Sequence, residues 1–185
     1  MAFFSLSLTR YRYNIEADEN DEIVLLIGEF EAEGSDIEII EVTATTTAAG
    51  TGSVSEIASE FILMIDGEEV DSVNSTACVT IDNCIASTTG SAVYVFDDVD
   101  FTVEEGDTVE FEIVAVLNDI STLFVAGDSL TAQVNADFIE AEDESGEDLT
   151  TTELNGNAVG EAQSFFEDGL TLSLVSSSEE SNDTN

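Results

Sequence analysis

The chain has 185 residues, and its 42 acidic side chains are set against two basic ones, with no histidine. The formal net charge of −40 excludes nucleic acids and anionic membrane surfaces as partners, because binding to either requires lysine and arginine. A hydrophobic fraction of 43% with 11 phenylalanines is enough for a folded core, and no apolar run is long enough for membrane insertion.

The charge also predicts the conditions under which the chain is stable. Like charges on a folded chain repel one another unless ions screen them over short distances. Concentrated salt and bound divalent cations both provide that screening. The absence of lysine is typical of salt-adapted proteins, so we expect adaptation to salt or to calcium. The alternative is a surface protein that is kept soluble by its acidity.

Short β-type alternation of apolar and polar residues runs through the first half of the chain. It begins in FFSLSL, and the run EIVLLIGEFE predicts a strand that is buried on both faces in its middle. A third strand starts at Ile37 and loses order towards Ser53. The segment FILMIDGEEV has Asp66-Gly67 at its centre, which is a typical two-residue hairpin turn.

The second half continues the pattern to the C-terminal tail. Two short strands, residues 93–96 and 101–103, flank an acidic turn, and clean alternation predicts longer strands over residues 108–117 and 130–139. A last strand is predicted over residues 170–175. Helical periodicity is limited to single turns, near residues 55–59 or 160–165.

About nine or ten strands at this spacing predict an all-β sandwich in one domain. We expect the sandwich to span residues 16–176. An N-terminal strand over residues 1–15 precedes it, and an acidic polar tail over residues 177–185 follows it.

Cys78 and Cys84 bracket the residues VTIDN. This spacing does not match the C-x₂-C pattern of metal and redox sites, and no histidine can complete a zinc site. We therefore predict a disulfide that closes this loop and stabilises the chain by about 2 kcal/mol. The alternative is a pair of reduced, buried cysteines.

Side chains that carry out catalysis are nearly absent. The chain has no histidine to act as a general base, no lysine for Schiff-base chemistry and no tryptophan to bind a sugar beside two carboxylates. We expect no enzymatic activity and no organic cofactor.

Calcium is the ion that the composition favours, because Asp-rich loops supply the oxygen ligands that it prefers. No segment matches the EF-hand loop pattern, so the metal ligands stay unassigned, and solvated acidic turns are the alternative at each position. The candidate loops contain Asp97, Asp98 and Asp100; Asp119 and Asp128; and Asp143, Glu144, Glu147 and Asp148.

Two sequons for N-linked glycosylation occur, Asn74-Ser75-Thr76 and Asn182-Asp183-Thr184. Both lie in polar stretches that are expected to be exposed, so glycosylation is permitted in an exported protein. A chain this rich in serine and threonine also contains such triplets by chance.

Both arginines, Arg10 and Arg12, lie in the N-terminal alternating segment, which no short hairpin ties to a neighbouring strand. A cationic strand of this kind suits pairing with the acidic sheet edge of another copy or of a neighbouring surface domain. Phe4, Leu6 and Leu8 are expected to fill the acceptor's groove, and the arginines to meet its carboxylates. The alternative is an ordinary first strand of the same sandwich.

Four stretches within residues 18–178 share a recognisable pattern: FEAEGSDIEIIEVTATTTAAG, FILMIDGEEV, EEGDTVEFEIVAVLNDI and the long run DFIEAEDESGEDLTTTELNGNAVGEAQSFFEDGLTLSLVSSS. Together they resemble a domain that recurs in large cell-surface proteins of candidate-phylum bacteria, the Patescibacteria. The resemblance implies an Ig-like β-sandwich in an envelope layer or fibre, with no catalytic residues. The acidity, the missing lysine and proline, and the cysteine loop depart from that family, which leaves a haloarchaeal surface or filament subunit as an alternative.

The sequence therefore predicts a non-catalytic structural subunit of an extracellular surface layer or filament. We expect such a subunit to associate through β-strands with copies of itself or with neighbouring surface domains. The alternative is a calcium-dependent adhesin or ligand-binding surface module.

Overall fold

The computed structural model describes residues 3–9, 14–16, 20–76, 90–120 and 124–166. Within these ranges the chain forms twelve strands and one short helix. In chain order they are β1 (Phe3–Thr9), β2 (Asn14–Glu16), β3 (Glu22–Glu33), β4 (Ile37–Ala49), α1 (Val54–Ile57), β5 (Ala58–Ile65), β6 (Glu68–Asn74), β7 (Gly90–Phe96), β8 (Phe101–Val103), β9 (Thr108–Leu117), β10 (Ser129–Asp143), β11 (Leu154–Val159) and β12 (Gln163–Phe166).

One sheet contains five strands in the order β1–β3–β9–β5–β6, and all of these neighbours are antiparallel. The β5–β6 hairpin turns at Asp66 and Gly67, whose φ angles of 52° and 76° are both positive, as a type I′ turn requires. This confirms the hairpin predicted from FILMIDGEEV.

The facing sheet is built around the long antiparallel pair β4 and β10. Strands β7 and β8 pair with the other side of β4, while β12 pairs with the start of β10 and β2 runs parallel to β12. The register of the β4–β10 pair shifts between Val134 and Ile139, so residues 135–138 bulge out of the ladder.

Strand β11 joins the two sheets along one edge. It pairs antiparallel with β10 and parallel with β1. The two sheets are therefore continuous on this side, and β1 lies between β3 and β11.

Aromatic side chains from both sheets fill the space between them. Phe30 stacks on Phe111 with ring centroids 4.2 Å apart, and Phe4 tilts against Phe30 at 5.1 Å. Between the sheets, Phe61 of β5 contacts Tyr94 of β7 at 4.5 Å. All of these rings are buried, and tilted or stacked pairs add to the free energy gained from apolar burial. The core thus includes a side chain of β1.

The predicted fold class, an all-β Ig-like sandwich, is confirmed, although the described residues contain more strands than the predicted nine or ten. The alternation does not predict β11, and β12 lies where the sequence permits a single helical turn. Helix α1 overlaps the other single helical turn that the sequence permits, near residues 55–59. The predicted strand over residues 170–175 and the acidic tail lie outside the described residues.

The middle of β3 is buried for a different reason from the one predicted. The register with β9 shifts between Val24 and Leu26, which marks a β-bulge at Leu25. The bulge lets Leu25 and Leu26 both face the core, while Val24 is 37% exposed on the outer face. The strand is therefore buried on one face.

Candidate functional site

Strand β1 occupies a slot between two other strands. Its seven residues pair antiparallel with residues 27–33 of β3, and residues 4–6 pair parallel with residues 154–156 of β11. The N–H of Phe4 also donates to the carbonyl oxygen of Glu153 at 3.0 Å. Because strands lie on both sides of β1, it is an internal strand of the sheet.

Two side chains of β1 anchor it in the core. Phe4 is fully buried and Leu6 is 6% exposed, whereas Phe3 is 40% exposed on the outer face. Burial of each anchor contributes roughly 1.5–3 kcal/mol before the cost of ordering the strand. On the outer face, the hydroxyl of Ser5 donates to Glu31 Oε2 at 3.2 Å.

Gly156 of β11 makes room for β1. Its φ angle is +112°, and a Cβ at this position would lie 2.3 Å from the carbonyl oxygen of Leu6. Any side chain at position 156 therefore displaces β1 or β11. Sequence reasoning missed this residue. The available signal is the glycine in LNGNAV, because a glycine inside a strand often marks a close backbone approach.

The structure brings the predicted interaction residues Phe4 and Leu6 together in the core of their own chain. This is the arrangement of the alternative interpretation, an ordinary first strand of the same sandwich. Leu8 pairs with Gly28 on β3, and its side chain lies outside the described residues, as do Arg10 and Arg12. A role of this segment between copies stays a prediction.

Asp128 is a buried carboxylate that ties two loops together. Only 2% exposed, it accepts hydrogen bonds from the backbone N–H groups of Thr51 at 2.7 Å, Gly52 at 2.9 Å and Val125 at 2.9 Å. Gly50 packs so closely that a Cβ there would lie 2.0 Å from Asp128 Oδ1. Backbone N–H groups thus engage both carboxylate oxygens, so Asp128 stabilises the loops before α1 and β10, which accounts for its burial without a bound calcium ion.

The acidic loop after β10 is closed on itself. Asp143 Oδ1 accepts hydrogen bonds from the hydroxyl of Ser145 at 2.6 Å, the N–H of Ser145 at 2.9 Å and the N–H of Glu147 at 3.1 Å. These hydrogen bonds, that of the Ser145 hydroxyl first, hold the pKa of Asp143 below its usual range. Across the residues that the structure describes, no three His, Cys, Asp or Glu side chains are grouped so that they could hold a metal ion.

Several glutamates face like charges across neighbouring strands. Glu41 of β4 lies opposite Glu140 of β10, and Glu29 of β3 lies opposite Glu110 of β9. Burial, and then the charge of Glu140, raises the pKa of Glu41. Burial, and then the charge of Glu110, raises the pKa of Glu112. Because like charges placed directly opposite are destabilising, both sheets carry a repulsion that salt relieves.

Other predicted features lie partly outside the residues that the structure describes. Cys78 and Cys84 lie outside the described residues, so the disulfide stays a prediction, and the same holds for the second sequon. Asn74 of the first sequon is exposed at the end of β6. Among the described segments, no helix is long and apolar enough to cross a membrane.

The sequence matches no protein-family model and no curated protein. Among solved structures it is similar to AvmM, which catalyses macrocyclization in alchivemycin A biosynthesis, at 11% identity and a TM-score of 0.38 over 92% of this chain and 91% of that chain. It is similar to a chain of a CaDoc0917–CaCohA2 complex at 13% identity and a TM-score of 0.33, over 88% and 98% of the two chains. A third similar structure is the major pilin subunit BcpA of Bacillus cereus, at 12% identity and a TM-score of 0.28, with 90% of this chain and 40% of that chain covered. At these TM-scores no similarity bears on what the chain does, and none supports the candidate-phylum family.

Proposed function

We propose that the chain is a non-catalytic structural subunit of an extracellular surface layer or filament, in which copies associate by exchanging β1. The observation that carries this proposal is the slot between β3 and β11, which β1 fills with Phe4 and Leu6. A strand that contributes core side chains offers the same contacts to its own copy and to a neighbouring copy. Exchange therefore needs no new interface.

The topology around β1 favours exchange. No tight hairpin joins β1 to either neighbour, because the next strand, β2, lies in the facing sheet against β12. Withdrawal of β1 therefore breaks no hairpin. The charge pattern favours it as well, since Arg10 and Arg12 follow β1 directly and β3 carries Glu29, Glu31 and Glu33. Opposite charges of this kind raise the association rate and fix the register.

The described surface also supports a role without catalysis. One cleft is lined by Asp36, Glu38, Thr102 and residues 143–146, and it offers carboxylates and hydroxyls without a cationic side chain. The hydroxyl of Ser145 donates to Asp143 in this cleft, but the lowered pKa of Asp143 makes that carboxylate a weak general base for activating the hydroxyl. A calcium-dependent adhesin is the alternative function, and it is less well supported because Asp128 and Asp143 accept hydrogen bonds within the chain.

Cysteine cross-linking between two differently labelled copies tests the exchange. Ser5 and Asn155 are register partners on β1 and β11. One copy carries Ser5→Cys, the other carries Asn155→Cys, and the two are mixed in concentrated salt under mild oxidation. A disulfide between the copies forms when β1 of one lies beside β11 of the other. Peptide mass mapping separates this bond from links to Cys78 or Cys84.

The control pairs Ser5→Cys with Glu69→Cys on β6, at the far end of the same sheet. We expect the first pair to cross-link and the control pair not to, with filaments or a lattice visible by electron microscopy. Leu6→Asn, which changes a core anchor, should abolish both results, while Phe3→Asn on the exposed face should abolish neither. A chain that stays monomeric at high concentration, with no link between copies, overturns the proposal.

A further inference from the structure

We infer that Asn74 is a site of N-linked glycosylation, an inference that rests on the extracellular location in the proposed function. Asn74 begins the sequon Asn74-Ser75-Thr76 at the C-terminal end of β6. The sequon requires an asparagine amide and, two residues later, a hydroxyl, with no proline between them. The sequence alone leaves the triplet indistinguishable from a chance match, and its geometry in the fold is what distinguishes it.

The middle residue of the sequon is anchored in the sandwich. Ser75 is 2% exposed, its N–H donates to the carbonyl oxygen of Ser59 at 2.9 Å, and its carbonyl oxygen accepts the hydroxyl of Tyr94 at 2.9 Å. Both flanking residues, Asn74 and Thr76, are exposed. The fold thus holds the amide and the hydroxyl at the surface on either side of a buried residue.

The amide of Asn74 is oriented by Thr76. Its Oδ1 accepts hydrogen bonds from the N–H of Thr76 at 3.0 Å and from the Thr76 hydroxyl at 2.6 Å. Asn74 is exposed, and within the described part of the chain its Nδ2, the atom that receives the sugar, donates no hydrogen bond. The hydroxyl that the sequon requires is already beside the amide.

The modification is a glycosyl transfer from a lipid-linked sugar (pyro)phosphate, which a transferase supplies together with a base. A bond forms between Nδ2 of Asn74 and the anomeric carbon of the sugar. The bond between that carbon and the phosphate oxygen breaks, and its electron pair leaves with the lipid phosphate. The amide proton passes to the base of the transferase, so atoms and charge balance.

A sugar at this position also has a consequence for assembly. Strand β6 is the last strand of its sheet, and in the described residues no strand pairs with its outer edge, where the N–H of Asp97, just after β7, donates to Asp71 Oδ2 at 3.1 Å. An unpaired strand edge is a template for unwanted pairing, and a bulky polar group at its end blocks a neighbouring chain. Glycosylated Asn74 would protect this edge and leave the β3–β11 slot as the place where copies join.

The test is to secrete the full chain from cells that carry an oligosaccharyltransferase, with export directed by an added signal sequence. Forced export makes the result independent of where the chain naturally resides, so a failure here is distinct from a failure of strand exchange. We expect most Asn74 peptides to carry a glycan by mass spectrometry. Enzymatic deglycosylation should convert Asn74 to aspartate.

Matched variants distinguish the requirement for the Thr76 hydroxyl from an effect of side-chain shape on the fold. Thr76→Ser keeps the hydroxyl and should retain the glycan on Asn74, while Thr76→Val keeps the shape of the side chain and should lose the glycan. Asn182→Gln removes the second sequon and should leave Asn74 occupied. Folded, secreted chain in which Asn74 is unmodified, or is equally modified in Thr76→Val, overturns the inference.

Discussion

Gly156 and Leu6 are register partners on β11 and β1, and the carbonyl oxygen of Leu6 occupies the place where a Cβ of residue 156 would project. The position of β1 therefore depends on a residue that has no side chain. The same contact couples both sheets, because β11 also pairs with β10. A change at this single position acts on the slot without altering β1 itself.

Gly156→Ala should displace β1 and lower the free energy of unfolding by roughly 3 kcal/mol or more, through an unfavourable φ and a backbone collision. Gly67→Ala is the matched control, since its φ of +76° is also positive but a Cβ there meets nothing within 4 Å. That variant should lose only about 1 kcal/mol. Urea unfolding measures both, and equal losses would show that the contact with Leu6 is unimportant.

Asp128→Asn should destabilise the fold by about 2–4 kcal/mol, because the new amide places an NH₂ group against backbone N–H donors. Asp107→Asn is the control, since it removes the same charge from an exposed turn. We expect little change in that variant. Thermal unfolding in concentrated salt isolates the hydrogen-bonding effect from overall repulsion. Equal melting temperatures for the two variants would contradict the structural role of Asp128.

Local signals account for most of the fold that the sequence predicts. The Asp66-Gly67 turn specifies its hairpin through backbone conformation alone, and alternation predicts β9 and the first half of β10. Beyond the bulge at residues 135–138 the alternation fails, because Phe138 is 61% exposed and Ile139 is buried. Strand β11, with the sequence LNGNAV, has little alternation. It is a strand because β1 and β10 pair with it, and that pairing depends on residues far away in the chain.

The candidate site, too, could be predicted from the sequence only in part. Alternation identifies Phe4 and Leu6 as residues of one buried face, but it does not tell whether the groove belongs to the same copy or to another. Asp128 is conspicuous in the sequence only as an acidic residue. Its role depends on Gly50 and Gly52, which lie on a different loop, and no local pattern links them.

Stability should rise strongly between low and molar salt, because ions screen the net charge of −40. Glu110→Lys should reduce this dependence, since it replaces the repulsion with Glu29 by attraction, worth about 0.5–1 kcal/mol at low salt. Glu104→Lys makes the same charge change in an exposed turn, and it should raise the stability at low salt by less. Melting temperatures across a salt series provide the measurement. A wild-type melting temperature unchanged by salt refutes the electrostatic argument.

Glu41→Gln should stabilise the chain near neutral pH and have little effect near pH 4. Because the pKa of Glu41 is raised in the folded state, the folded chain binds this proton more readily than the unfolded chain. Its contribution is therefore most favourable below the unfolded pKa and is lost as pH rises through the folded pKa. The gain at neutral pH should be about 0.5 kcal/mol.

Urea unfolding at both pH values measures this difference, with Glu144→Gln in an exposed loop as the control. The comparison between variants is needed because Asp143 and Glu153 change the stability of the whole chain with pH in the opposite direction from Glu41. Their pKa values are lowered by hydrogen bonds, so their contributions are lost as pH falls. A Glu41→Gln variant that is less stable than wild type at neutral pH would contradict the claim that the ionised Glu41 carboxylate destabilises the folded chain.

Tyr94 should keep its proton well into the alkaline range, because burial raises its pKa to about 12. An unfolded tyrosine has a pKa of about 10. The protonated phenol therefore stabilises the folded chain below that pH, and the contribution is lost as pH rises through the folded pKa. The chain has three tyrosines, so tyrosinate absorbance should show a late step that Tyr94→Phe removes and Tyr11→Phe retains.

The Tyr94→Phe variant should also lose about 1 kcal/mol of unfolding free energy at neutral pH, because the carbonyl oxygen of Ser75 loses its hydrogen bond. If all three tyrosines titrate together while circular dichroism still reports a folded chain, the phenol of Tyr94 is not held in the core as described.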